Sequence, residues 1–316
     1  MIRREFRLKQ FNIKGTDLNV SNIIMGNMRI NSLSLKETEA LIHTAQEAGI
    51  NFFDHADIYG GGSCEEQFAQ AISMDKTIRE NMIIQSKCGI RHGATGYYDF
   101  SKDHILTSVD KILQRLQTEY LDILLLHRPD PLMEPEEVAE AFDQLHASGK
   151  VRHFGVSNHN PMQIELLQKS LDQKLVVNQV QFSLAHTPLI DSGVSLNMNT
   201  ENAVNRDSST LEYCRLNDIT LQAWSPFQTG FFDGVFVGDR ERFPKLNDVL
   251  DRLASKYDVT PTTIAVAWIT RHPANIQVVL GTTNAGRLKE SAEGSDIPLT
   301  REEWNELYAA AGNMIP

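Results

Sequence analysis

Cysteine is scarce in this chain of 316 residues. Cys64, Cys88 and Cys214 are odd in number, far apart, and in neither CxxC nor metal-ligand spacing, so neither a disulfide framework nor a zinc site is indicated. Free, reduced thiols are expected. Long apolar runs are also missing: no stretch approaches the roughly 18 residues that a membrane-crossing helix needs. The amino terminus, MIRREFRLKQ, lacks the apolar centre of a leader peptide, and the expected location is cytoplasmic. Positive charge is in deficit, with 30 Lys and Arg against 41 Asp and Glu, a net charge of −11. Such a surface repels phosphate backbones and anionic lipid, so neither nucleic acid nor membrane is an expected partner. No GxGxxG follows the first apolar run, which argues against a Rossmann sheet.

What is present is a repeat of short apolar runs. They fall at 23–26, 51–54, 82–86, 121–126, 151–156, 176–182, 219–224 and 276–280, too short for helices and too continuous for half-exposed strands. Between them lie segments of helical spacing with start signals, at Ser34, Ser101 and Pro135, and stop signals, at Gly49 and Gly149. Eight buried strands alternating with helices predict a (β/α)8 TIM barrel, here a single domain over residues 1–316. The segment RREFRLKQFNIKGTDLNV alternates like a hairpin around Lys14-Gly15 and is expected to cover the barrel bottom. Two irregular segments, 191–210 and 228–244, follow the sixth and seventh runs and are expected as long loops at the C-terminal face, where barrel active sites lie. A helix over about 300–311 closes the chain.

Four polar residues leave consecutive units of this repeat at that face. Asp54 closes the second run, Lys87 follows the third and His127 the fourth, while Tyr59 lies five residues after Asp54, before glycines that let the loop fold back. Singly, each has an ordinary reading as a cap, a solvated charge or a packed side chain. Together they form a proton-transfer set. Lys87 would favour the phenolate of Tyr59, Asp54 would keep Lys87 charged, and His127 would orient a carbonyl oxygen. The reductant is what this set lacks.

The motifs DHADIYG, IIQSKCG, LDILLLHRPDP, GKVRHFGVSN, NQVQFS, LQAWSPF and LGTTNAGRLKES, in order over nearly the whole chain, resemble the aldo-keto reductases. The resemblance implies a (β/α)8 barrel that binds NADPH without a Rossmann domain, with Asp54, Tyr59, Lys87 and His127 as its catalytic tetrad and Tyr59 as general acid. It also implies that Ser157, Asn158 and Gln179 hold the nicotinamide carboxamide, that Trp224 stacks on the ring, and that Ser225 approaches the pyrophosphate. Gln179 and Gln181 share a strand face, so spacing alone does not choose between them. A Ser-Asn helix cap is the ordinary reading of residues 157–158. Gly26 joins the cofactor site, and Gly281, Thr282 and Thr283 lead into a helix whose N–H groups could receive a phosphate. Arg287 falls where the family meets the 2′-phosphate and Glu290 where it meets the adenine. At Gly281 many members carry a lysine; its lack here weakens the implied choice of NADPH over NADH. Met28 stands where the family presents an aromatic to the substrate, which suggests a more adaptable wall. Cys88, beside Lys87 on a strand, is expected to face away and pack.

The expected activity is reduction of a small-molecule aldehyde or ketone, with no metal. Two rivals use the same residues: a lyase or aldolase with a Schiff base on Lys87, and a non-catalytic NADP-binding regulatory subunit. A metal-dependent hydrolase is disfavoured because DHAD lacks an HxH pair. The physiological substrate and the oligomeric state are left open.

Overall fold

A computed structural model describes residues 8–316. A hairpin comes first, β1 (Gln10–Asn12) and β2 (Asn19–Ser21), paired antiparallel. Next are β3 (Ile23–Gly26), β4 (Phe52–Asp54) and β5 (Ile83–Cys88), then a small antiparallel ribbon of β6 (Ile90–Arg91) and β7 (Tyr97–Tyr98). The remaining strands are β8 (Leu121–Leu126), β9 (Val151–Ser157), β10 (Leu175–Gln181), β11 (Thr220–Trp224) and β12 (Gln277–Leu280). All except the hairpin and ribbon close into one parallel barrel, in the order β10-β11-β12-β3-β4-β5-β8-β9. Each predicted run lies within two residues of one of these strands. The ribbon was not foreseen, because two-residue strands carry no period.

Helices sheathe the barrel, which is why its strands read as continuous apolar runs. After β3 comes α1 (Leu35–Glu47); after β4, α2 (Ser63–Ala71) and α3 (Lys76–Glu80); after the ribbon, α4 (Lys102–Leu116). Next come α5 (Pro135–Ala147), α6 (Pro161–Gln168), α7 (Pro188–Val194) and α8 (Thr210–Leu216). Last are α9 (Pro244–Tyr257), α10 (Pro261–Thr270), α11 (Ala285–Ala292) and α12 (Arg301–Ala310). Ser34 caps α1 in a capping box with Glu37, Ser101 caps α4, and Pro135 opens α5. Among the described residues no helix is long and apolar enough to cross a membrane.

The barrel interior divides by height. At the bottom, Ile13, Leu18 and Val20 of the hairpin region pack on the strand residues Ile24, Phe52, Ile123, Val177 and Val279. The hairpin therefore plugs the barrel as its alternation predicts, with Gly15 in the left-handed turn at φ 76°; residues 3–7 of the predicted segment lie outside the described residues. One expectation needs correction. The segment 191–210 is not wholly irregular, because α7 runs to Val194 and α8 begins at Thr210. Its Ser- and Asn-rich composition concealed both helix ends.

Candidate active site

The last residue of β4, Asp54, enters a loop in which Gly60, Gly61 and Gly62 all take positive φ (58°, 65° and 100°). Three successive left-handed residues reverse the chain, and Tyr59 immediately precedes them. Its hydroxyl thereby comes back over the barrel mouth to 3.3 Å from Lys87 Nζ on β5. Lys87 donates to both carboxylate oxygens of Asp54 at 2.7 Å and to the His55 carbonyl at 2.8 Å. Lys87 is 0% and Asp54 2% exposed, so this is a buried ion pair whose polar atoms are well partnered. His127 follows β8, with its ring edge-on to Tyr59 at 5.9 Å between centroids. All four residues expected to meet do meet.

The electrostatics differ from the expectation at one point. Burial lowers the pKa of Lys87, but the Asp54 carboxylate and the Tyr59 phenol outweigh it and hold the ammonium above its ordinary value. Burial raises the Tyr59 pKa first; Lys87 pulls it down, Asp54 pushes it up, and the net effect holds the phenol above its ordinary value. Lys87 thus acts in the predicted direction but does not make the phenol acidic, because loss of solvation around the hydroxyl is the larger effect. The phenol is protonated at neutral pH. Burial, followed by Lys87 and Arg128, pushes His127 well below the usual imidazole range, so its ring is neutral. Its Nδ1 is enclosed and, among the described residues, has no hydrogen-bond partner, which leaves Nε2 as the nitrogen available to the cavity.

Beneath the ion pair lies a layer that sequence reasoning missed. Gln85 and Gln179 each donate to Asp54 Oδ1, at 2.6 and 3.1 Å, and both also donate to Gln222 Oε1, at 2.9 and 3.0 Å. Gln222 passes the chain to Gln277, which donates to the Ser21 carbonyl at the hairpin. These four glutamines are buried and contributed by four strands. The available signal was an amide inside an otherwise apolar strand, which needs a partner when buried.

A cavity of about 990 Å³ runs from the tetrad along the C-terminal face. Its wall includes Gly26, Met28, Ser157, Asn158, Gln179, Trp224, Ser225, Gly281, Thr282, Thr283 and Arg287, as the resemblance implies. Gln179, not Gln181, faces it; Gln181 donates instead to the Gly230 carbonyl. Asn158, at φ 60°, accepts from the Trp224 indole at 3.0 Å and donates to Ser157 Oγ at 2.7 Å. Residues 157–158 are not the helix cap, a role taken by Asn160 on α6. Glu290 is exposed on α11 and outside the cavity wall, a departure from the expectation; Ser291 lines the wall instead. Arg29 was not foreseen. Its guanidinium donates to the Gly281 carbonyl at 2.8 Å, bringing a cation to the position where the expected lysine is missing. Cys64, Cys88 and Cys214 are free and buried, and burial pushes the Cys88 thiol well up, so it packs inertly.

Comparison with known proteins agrees with this architecture. The Aldo/keto reductase family model matches residues 22–311. The "Uncharacterized oxidoreductase YcsN" of Bacillus subtilis is 35% identical, over 95% of this chain and 97% of its own. A 6-dehydroglucose reductase of Agrobacterium fabrum is 34% identical, over 93% and 95%. A crystal structure of an aldo/keto reductase from Klebsiella pneumoniae, in complex with NADP and acetate, superposes with a TM-score of 0.73 over 92% of this chain and 90% of its own, at 24% identity, a likeness of fold. Matched from the first barrel strand to the last helix, the chain belongs to the aldo/keto reductase family and is an oxidoreductase.

Proposed function

We propose that this oxidoreductase reduces the carbonyl group of an aldehyde or ketone to the alcohol, with NADPH as reductant and Tyr59 as proton donor. The observation that carries the reading is the Tyr59 hydroxyl, 3.3 Å from a buried ammonium and lining the same cavity as His127 and Met28. Bound in that cavity, NADPH supplies the hydride. Ser157, Asn158 and Gln179 offer amide and hydroxyl groups at the end nearest the tetrad. The other end carries Arg29, Arg287 and the start of α11, a cationic setting suited to phosphate.

The protein's own groups then divide the work. Neutral His127 meets the substrate oxygen through Nε2 and fixes its position. Tyr59, whose phenol burial holds above its ordinary value and so in the protonated form, gives its hydroxyl proton to that oxygen as negative charge develops there. The phenolate left behind faces the Lys87 ammonium, whose field stabilises it, and Asp54 with its glutamine partners keeps that ammonium in place. The Schiff-base alternative is opposed by this arrangement, since a lysine held protonated by a carboxylate is no nucleophile. The test is NADPH consumption across a panel of aldehydes, ketones and quinones, with the alcohol identified. Consumption matched by alcohol formation is expected; NADPH binding without turnover across the panel would show a binding module instead.

A further inference from the structure

We propose that Arg128 is an anion-binding residue of the substrate site, and that the preferred carbonyl substrates carry a carboxylate; this rests on the carbonyl-reduction reading above. Arg128 directly follows His127 and is half-buried, with its guanidinium 5.5 Å from the Trp224 ring centroid and 5.7 Å from that of Phe231. Those two rings meet edge-on at 6.3 Å, so the guanidinium is held in orientation by aromatic groups alone. Among the described residues it makes no hydrogen bond or ion pair. That sets it apart from the arginines buried elsewhere: Arg79 pairs with Asp122 and Arg115 with Glu65, each at 2.7 Å.

A guanidinium partly removed from water, with no anion beside it, loses solvation that nothing in the chain returns. In a protein of net charge −11 carboxylates are plentiful, so their absence here is a property of the site. Its position says what the missing partner is. Arg128 lines both the 990 Å³ cavity that holds Tyr59 and His127 and an adjoining cavity of about 710 Å³, whose wall includes Tyr98, His186 and Asp207. A substrate with its carbonyl oxygen between Tyr59 and His127 would extend past Arg128 into that second space. The planar guanidinium fork matches a carboxylate, one charge against one. A phosphate dianion fits less well, because Arg206 in the second cavity is already paired with Glu201 and Asp207 adds a carboxylate.

The test compares 4-carboxybenzaldehyde with its methyl ester, two substrates close in shape that differ in charge, the ester having the more electrophilic aldehyde. The wild type is expected to favour the acid in kcat/KM by about tenfold or more, the scale of one charge-assisted hydrogen-bond pair. Arg128→Gln should lower that acid-to-ester ratio about tenfold from the wild-type value, with Arg128→Lys between the two. A wild type that prefers the ester, or an acid-to-ester ratio unchanged in Arg128→Gln, would overturn the proposal. A second readout needs no turnover: calorimetric binding of benzoate against benzamide, with NADP+ present and absent. Tighter binding of benzoate that disappears in Arg128→Gln supports the anion site even if the aldehyde panel fails; equal binding of the two ligands overturns it.

Discussion

Lys87 is the residue on which the site's electrostatics turn. Its ammonium is wholly enclosed, and Asp54 depends on it for charge balance as much as it depends on Asp54. Lys87→Met should therefore abolish turnover and destabilise the fold by about 3–5 kcal/mol, the cost of leaving one half of a buried ion pair alone. Chemical denaturation should show that adding Asp54→Asn recovers part of the loss; strictly additive losses would contradict the pairing. Arg29 leads to a second expectation at this scale. Arg29→Ala should raise the KM for NADPH about tenfold and leave that for NADH nearly unchanged, and Arg287→Ala should do the same; steady-state kinetics with both cofactors checks it. Asp54, Lys87 and His127 were legible because each sits at or beside the end of an apolar run, and Tyr59 because glycines follow it in the loop after Asp54. Arg29 was not, because its partner Gly281 lies 252 residues away and a contact of that kind leaves no trace in spacing. The net direction of the Tyr59 pKa shift was not legible for a similar reason: a lysine can be read from the chain, but the burial that outweighs it cannot.

At the scale of elements, the segment between β4 and α2 both delivers Tyr59 and carries a titratable group of its own. Burial, then repulsion from Glu65, raises Asp57 from 3.8 to about 7, against the pull of Arg115. The folded state therefore holds a proton that the unfolded chain releases near pH 4. The protonated carboxyl contributes stability that is fully present below pH 3.8 and lost as pH rises through about 7. Asp57→Asn, which imitates the protonated form, should raise Tm by about 2 °C or more at pH 8 and leave it nearly unchanged at pH 4, by calorimetry. The barrel wall sets another constraint. A Cβ at Gly155 on β9 would stand 2.7 Å from both Leu125 Cδ2 and the Val177 carbonyl oxygen. Gly155→Ala should thus cost about 1–3 kcal/mol in urea unfolding without changing the NADPH affinity. The strands and capped helices were readable from period and cap residues. The ends of α7 and α8 were not, since Ser and Asn favour caps and turns wherever they occur.

Across the whole molecule, the barrel separates stability from chemistry along its axis. The hairpin and the apolar strand residues fill the bottom, the glutamine layer crosses the middle, and the ion pair, Tyr59 and His127 stand at the top beside the long cavity. This division was predictable from eight apolar runs that each end in polar residues at the same face. The glutamine layer was not, because barrel closure brings together strands as far apart in sequence as residues 85 and 222. The account's central claim is that one phenol delivers the proton, and comparing Tyr59→Phe with wild type in NADPH titration and in carbonyl reduction tests it most directly. Unchanged NADPH affinity with turnover lowered about 100-fold or more is the predicted result; turnover within a few fold of wild type would contradict it.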